Sequence, residues 1–522
     1  MERSLIVVFA CLIGVAALAA TAFSAGPAAT GKTVAQLRAD AEQLVLQQAE
    51  MAWKTWALGE ASDQDALYRQ YTYLFTRDSI DKVKAAGAQE TNPEQRLALA
   101  FFLHYLETEY IGAQTAQLWD IDADLQANES VLVNGQMIPY HNLSKLLADE
   151  PDPAKRAVMA KEEVRIYRLL NEVVRKRIFE TSHHLATDLG YKDYLELSVA
   201  YRMFDLNDLY AKAQQFLDQS EAMYLKLFDE VSPIPRKDFH RSDVGRLLAK
   251  KEYDAYFPAD SLLATAYATF DGMGLGEHAR KKIFVNSEPL PKKNPRAVCF
   301  PIRVPNDVRL SIKPIGGDND YKALFHEFGH AQHFSHGTTP VWEFQQLGSN
   351  AVTEGYAYTF ESLPEREAWL VKHTTMPPDV RRKFHRHVML ANLYMARRYM
   401  AKLIFETEFH RGVPDPQKRY QYWLSKAYGF QLTDDESTRY LTDLDPFLYC
   451  ADYVQAFHIE AMLNEHLTRD FGAVWWENPK SGAFLTQYWS VANKLSGAEL
   501  AQMLGYKSYD NKLLLAYLTG GK

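Results

Sequence analysis

The residues best placed to do chemistry are His326-Glu327-Phe328-Gly329-His330. On a helix, two histidines four apart project from one face, so their imidazoles can share a single metal ion. Glu327 turns to the same side, where its carboxylate reaches a metal-held water rather than the metal. Zinc lowers the pKa of bound water to about 7, and a neighbouring glutamate takes its proton as the hydroxide attacks a carbonyl. A tetrahedral site needs a third protein ligand and an open position. Glu354, 24 residues past His330, supplies that ligand from Ser349-Asn-Ala-Val-Thr-Glu354-Gly-Tyr-Ala-Tyr-Thr-Phe-Glu361-Ser-Leu, which stops at Pro364 and reads as a second short helix. Glu361, a heptad beyond Glu354, is expected to be solvated, with support of a metal ligand as its alternative role.

These groups need particular elements to hold them. Gly316-Gly317 leads into the histidine helix, with Asp318 or Asp320 expected near its N-cap. Upstream, Val298, Phe300, Ile302 and Val304 alternate, a Pro-Asn-Asp turn follows, and Val308, Leu310 and Ile312 alternate again. This period of two predicts a β-hairpin or small sheet. Pro301 cannot donate to a ladder, so its strand is expected at an edge or at a bulge. The loop over 337–348 allows the two site helices to run antiparallel. Elsewhere, apolar residues at three-to-four spacing predict helices over 34–56, 93–118, 153–189, 208–228, 379–409, 452–470 and 482–495. Asp152 and Asp205 stand where helices begin, and Gly190 and Gly429 where helices end. The expected fold is mostly α, as one continuous domain over 33–522.

Composition limits the function classes. The 522 residues carry 58 Lys and Arg against 66 Asp and Glu, a net charge of −8, so the basic excess that nucleic acid or an anionic membrane would call for is missing. A chain that is 47% hydrophobic and 24% charged is globular rather than disordered. Three cysteines cannot form a disulfide scaffold at this length. Met1-Glu-Arg-Ser precedes an apolar run from Leu5 to Ala20, and Ala20-Thr21-Ala22 offers a small-residue cleavage site. A signal peptide is therefore expected over 1–22 and a flexible linker over 23–32. The run is short for a span, which takes about 20 apolar residues. The expected location is secreted or periplasmic, with a membrane anchor if cleavage does not occur. Cys11 leaves with the signal peptide. Cys299 and Cys450 remain, read as isolated buried thiols, with a mutual disulfide as the alternative. A monomer without an integral membrane domain is expected.

His326-Glu-Phe-Gly-His330 with Glu354 downstream resembles the zinc metallopeptidases of the thimet oligopeptidase and neurolysin family, and its spacing also resembles angiotensin-converting enzyme; both are gluzincins. The resemblance is specific over 296–361, extends to 439–460, and is only helical texture elsewhere. It implies a large two-lobed helical fold with one zinc ion at the floor of a deep cleft and a catalytic core over 296–460. By this resemblance His326, His330 and Glu354 are the zinc ligands and Glu327 is the general base. The strand over 297–304 would pair with an extended peptide, a form of β-augmentation. Within Asp443-Leu-Asp-Pro-Phe-Leu-Tyr449-Cys-Ala-Asp-Tyr453-Val-Gln-Ala-Phe-His458-Ile-Glu, the resemblance makes Tyr449 and Tyr453 candidate donors to the oxyanion of the tetrahedral intermediate. A preorganised donor of this kind contributes about 2.7–4 kcal/mol. The pattern departs from the family in two places: the Tyr expected three residues after Tyr453 is Ala456, and 439–448 contains no His. His458 is a weaker substitute for that histidine. His333 is either a substrate contact or a packed ring, and His336 is read as structural, its cation favoured at a helix C-terminus.

The implied function is a zinc-dependent peptidase acting on short unfolded oligopeptides, internally or as a dipeptidyl carboxypeptidase. Arg439 is a candidate anchor for a terminal carboxylate. The missing His and displaced Tyr motivate an alternative, a catalytically impaired helical peptide-binding protein that retains its zinc. A hydrolase of a non-peptide amide would use the same ligands.

Overall fold

The computed structural model describes residues 31–133 and 135–520. The expected signal peptide, the linker up to residue 30 and Cys11 lie outside the described residues. Of the described chain 73% is helical, and its sheets have two and three strands, so the fold is mostly α.

The first half contains α1 (Val34–Trp53), α2 (Pro93–Asn128), a hairpin of β1 (Ser130–Val133) and β2 (Gln136–Pro139), then α3 (Pro153–Leu170), α4 (Lys176–Asp188), α5 (Tyr194–Arg202) and α6 (Leu206–Val231). Their starts follow the capping rule: Asp152 accepts from the Ala154 N–H, and Asp205 from those of Asn207 and Asp208. The helix expected over 153–189 is continuous in course, but a π turn at Asn171–Arg175 joins α3 to α4. Gly190 and Gly429 take positive φ, of 96° and 74°, after their helices.

The site half has β3 (Ile283–Asn286), β4 (Val298–Arg303), β5 (Asp307–Ser311), α7 (Asp318–Ser335), α8 (Ala351–Glu361), α9 (Pro378–His410) and α10 (Cys450–Phe471). β4 pairs antiparallel with β5, and the ladder is irregular between Pro301 and Arg303, where proline removes a donor. The sheet order β3-β5-β4 puts β4 at an edge. β3, parallel to β5, and the β1–β2 hairpin were not expected, because strands of four residues are too short to establish a period. The alternation in β4 has two buried destinations. Val298, Phe300 and Ile302 pack on Ala49 and Trp53 of α1, with the Phe300 and Trp53 rings edge to face at 5.4 Å. Cys299, Val308 and Leu310 join the main core with Phe325 and Phe328 of α7.

The helices that bear the site pack unusually closely. A Cβ on Gly329 would lie 2.6 Å from Cα of Ala357, so the glycine between the two histidines lets the α8 backbone approach α7. On the other side of α8, a Cβ on Gly355 would collide with the Ile459 side chain of α10. The two largest clusters of buried apolar residues lie around α6 to α10 and around α1, α2, α4 and α5, the second also taking in Trp342, Phe344 and Leu347.

Gly317 is the N-cap of α7, with Asp318 and Asp320 in its first turn as expected; Asp320 accepts from the Ile315 and Gly316 N–H groups at 2.7 and 2.9 Å, holding the entering loop. Among the described residues no helix is long and apolar enough to cross a membrane.

Candidate metal centre

α7 presents His326 and His330 one turn apart, and α8 presents Glu354 opposite them. The pairings of His326 with Glu361 and His330 with Thr353 show that the helices run antiparallel, since rising numbers on one meet falling numbers on the other. Nε2 of His326 lies 3.2 Å from Nε2 of His330 and 3.5 Å from Oε2 of Glu354, and the remaining edge is 3.9 Å. Ligand bonds of 2.0–2.1 Å to a tetrahedral zinc ion require edges of about 3.3 Å, so the three atoms outline one face of such a site. All three residues are buried.

The partners of these groups test the fit further. Nδ1 of His326 donates to Glu361 Oε2 at 2.8 Å, and Nδ1 of His330 lies 2.8 Å from the Thr353 hydroxyl. With the proton on Nδ1 in each ring, the Nε2 lone pairs face one another and Glu354 Oε2, which is buried without a hydrogen-bond partner. Converging imidazole nitrogens and a buried carboxylate oxygen suit a bound cation, which would displace the Nε2 proton that His326 otherwise carries near neutral pH. Burial raises the Glu354 carboxyl to about 7, against the lowering effect of His326 and Tyr449. Burial by itself would depress His326, but the Glu361 carboxylate outweighs it and raises the imidazole to about 9. Burial, then the neighbouring His326 and His333, hold His330 well below the ordinary histidine value. The donor set of two imidazoles and one carboxylate suits zinc.

Glu327 sits beside the triad with its Oε2 accepting the Cys299 N–H of β4 at 2.7 Å. Burial raises its carboxyl to about 6. That bond also changes the expected use of the edge strand. The outward Cys299 N–H serves Glu327, and the Pro301 carbonyl accepts from Gln346 Nε2 at 3.0 Å, so the edge is already engaged at two successive outward positions.

The expectation that Glu361 is solvated is overturned. It lies two turns from Glu354 on the same face of α8, bonded to His326 and 3.4 Å from the Lys322 ammonium, which also pairs with Glu365 at 2.9 Å. Second-shell carboxylates of this kind fix a ligand's tautomer and ring orientation. Tyr449, at the N-cap of α10, donates from its hydroxyl to Glu354 Oε1 at 3.0 Å. Tyr453, one turn on, is as buried as the ligands, its ring edge to face with Tyr449 at 5.0 Å and 4.8 Å from Tyr399.

The other candidates are placed elsewhere. His458 is about 140° round α10 from Tyr453 and stacks on Tyr509. His333 is enclosed against Tyr356 and Phe334, and burial lowers it to about 4. His336 is not the expected cation: burial and the stacked His278 ring, 3.6 Å away, lower it to about 4. Arg439 is buried 3.5 Å from Asp443 and lies over the Tyr167 ring, in the core rather than held out as an anchor. Cys299 and Cys450 are free and buried, as isolated thiols. Glu406, Asp445 and Cys450 form another grouping with metal-ligand spacing, but the Lys402 ammonium is already there, 2.8 Å from Asp445 and 3.5 Å from Glu406.

Sequence reasoning named Glu361 as a supporting group only in its alternative reading and missed the rest of the support. Thr353 is next to a ligand and Glu361 is a heptad from it, which are legible signals. The strand N–H that holds Glu327 and the Tyr449–Glu354 bond leave no local signature. No protein-family model and no curated protein matches this chain.

Proposed function

We propose that the protein is a zinc-dependent peptidase acting on short oligopeptides, with His326, His330 and Glu354 as ligands and Glu327 as general base. One observation carries the reading: two imidazole Nε2 atoms and a carboxylate oxygen without a hydrogen-bond partner converge within 4 Å, with a second carboxylate on the residue next to His326. The similarity of the motif to the thimet oligopeptidase family supports the substrate class. Zinc bound by such a set serves as a Lewis acid and generates a nucleophile from water at neutral pH. Glu327, its carboxylate held beside the ligands, takes the proton of the attacking water and hands it to the leaving amine. The Cys299 N–H fixes the direction of the carboxylate during both transfers. Glu361 and Thr353 hold the two imidazoles, and Tyr449 holds Glu354. Tyr453, beside Tyr449, is the proposed oxyanion donor.

A second reading, a peptide-binding protein with a retained metal, draws on one observation: the Tyr449 hydroxyl is spent on Glu354. Quenched fluorescent peptide libraries separate the two. Turnover by the wild-type protein that is abolished both by a chelator and by Glu327→Ala supports the peptidase. Binding of peptides by zinc-loaded protein with no cleavage supports the alternative.

A further inference from the structure

A cavity of about 70 Å³ lies among α2, α4, α5 and the turn that precedes Tyr449. On the same measure one water takes about 10–15 Å³, so the space holds several waters or the end of one side chain. Trp119, Ile178, Phe179 and Phe447 give it apolar walls, and Tyr449 and Asn350 line it on the side nearest Glu354, so it adjoins the candidate metal centre.

Two charged side chains reach this cavity. Arg202 is neutralised: it pairs with Asp452 at 2.5 Å, and its other N–H groups donate to the Pro446 and Phe447 carbonyls. Glu109 has no such partner. It is 4% exposed and accepts only from the Tyr68 hydroxyl, at 3.3 Å, and no cation among the described residues pairs with it. Burial raises its carboxyl to about 7. An arriving cation would restore the ionised form, and aromatic faces would pack against its alkyl stem.

We propose that this cavity is a specificity pocket for a cationic group of the peptide, with Glu109 as the counter-ion. The group is the ammonium or guanidinium of a lysine or arginine side chain, or a free amino terminus. The proposal rests on the peptidase reading of the adjoining site for its substrate, but its recognition chemistry belongs to Glu109 alone.

The test uses matched hexapeptides with lysine, norleucine or citrulline at successive positions, each with a free or acetylated amino terminus. Binding is measured by calorimetry on zinc-loaded Glu327→Gln protein, and cleavage on the wild type. At one position lysine is expected to bind at least about 10-fold tighter than norleucine or citrulline, because a pocket built around a polar partner discriminates against analogues that lack it. Adding Glu109→Gln should bring the ratio to within about twofold. A preference lost on acetylation, and independent of lysine, assigns the pocket to the amino terminus. Equal binding of all the peptides by protein that keeps Glu109 overturns the proposal, whether or not the Glu109 variant folds. A preference that survives Glu109→Gln overturns it too. If the wild type cuts no peptide while the preference is present, the peptidase reading fails and the pocket stands.

Discussion

The hydroxyl of Tyr449 donates to one oxygen of Glu354 at 3.0 Å, while the other oxygen of the same carboxylate faces His326 and His330. The bond ties the start of α10 to the first turn of α8 and sets the direction of the third ligand. Tyr449→Phe is expected to weaken zinc binding by about 10- to 100-fold, the usual cost of losing a second-shell partner. Chelator competition reads this directly, and an unchanged affinity would remove the orienting role.

Tyr453 makes a separable test, because the resemblance gives its hydroxyl an oxyanion role. Tyr453→Phe is expected to lower kcat by about 100-fold or more with metal content and KM little changed. A kcat within a few-fold of the wild type would leave Tyr453 as a packing residue of the Tyr399 and Tyr449 cluster.

Ligand and base should separate cleanly. Alanine at His326, His330 or Glu354 is expected to abolish stoichiometric zinc in elemental analysis. Glu327→Gln should retain the metal and lose about 10²- to 10⁴-fold in turnover of a fluorogenic peptide. Loss of metal from Glu327→Gln would mean that Glu327 is itself a ligand.

Gly329 tests the close approach of the two site helices. Its added Cβ would meet Ala357 Cα at 2.6 Å, backbone that cannot move aside as a side chain would. Gly329→Ala is expected to cost about 1–3 kcal/mol in stability. It should also weaken zinc binding, since α8 carries Glu354 away from the histidines as it shifts. Denaturant unfolding of the metal-free protein isolates the packing cost from the metal's contribution.

Glu460 governs a pH effect on stability away from the ligands. It accepts from the Tyr517 hydroxyl at 2.7 Å, and burial raises its carboxyl to about 8 from an unfolded value of 4.5. Between these values the folded protein holds a proton that the unfolded chain has released. The resulting stability is complete below about pH 4.5 and is lost as pH rises through about 8. Glu460→Gln is expected to flatten the fall in Tm across the upper part of that window. An identical pH profile in the variant would mean that Glu460 is ionised throughout.

His326, Glu327 and His330 share a helix face by their spacing alone, and the alternation from Val298 to Ile312 makes the hairpin, so the metal motif and the strand before it were legible locally. Glu354 was legible by its place on a second short helix, and a mostly α fold followed from the recurring three-to-four apolar spacing. Glu361 lay on the right face by the same periodicity, but whether it met water or His326 depended on how closely α7 and α8 pack.

Tertiary structure alone decided which groups hold the site. Cys299 reaches Glu327 across 28 residues, Tyr449 reaches Glu354 across 95, and Arg202 reaches Asp452 across 250. Periodicity orients a side chain relative to its own helix or strand. It does not determine which distant backbone or hydroxyl that side chain will face, because that follows from close packing between elements, here set by glycines that bring α7, α8 and α10 together.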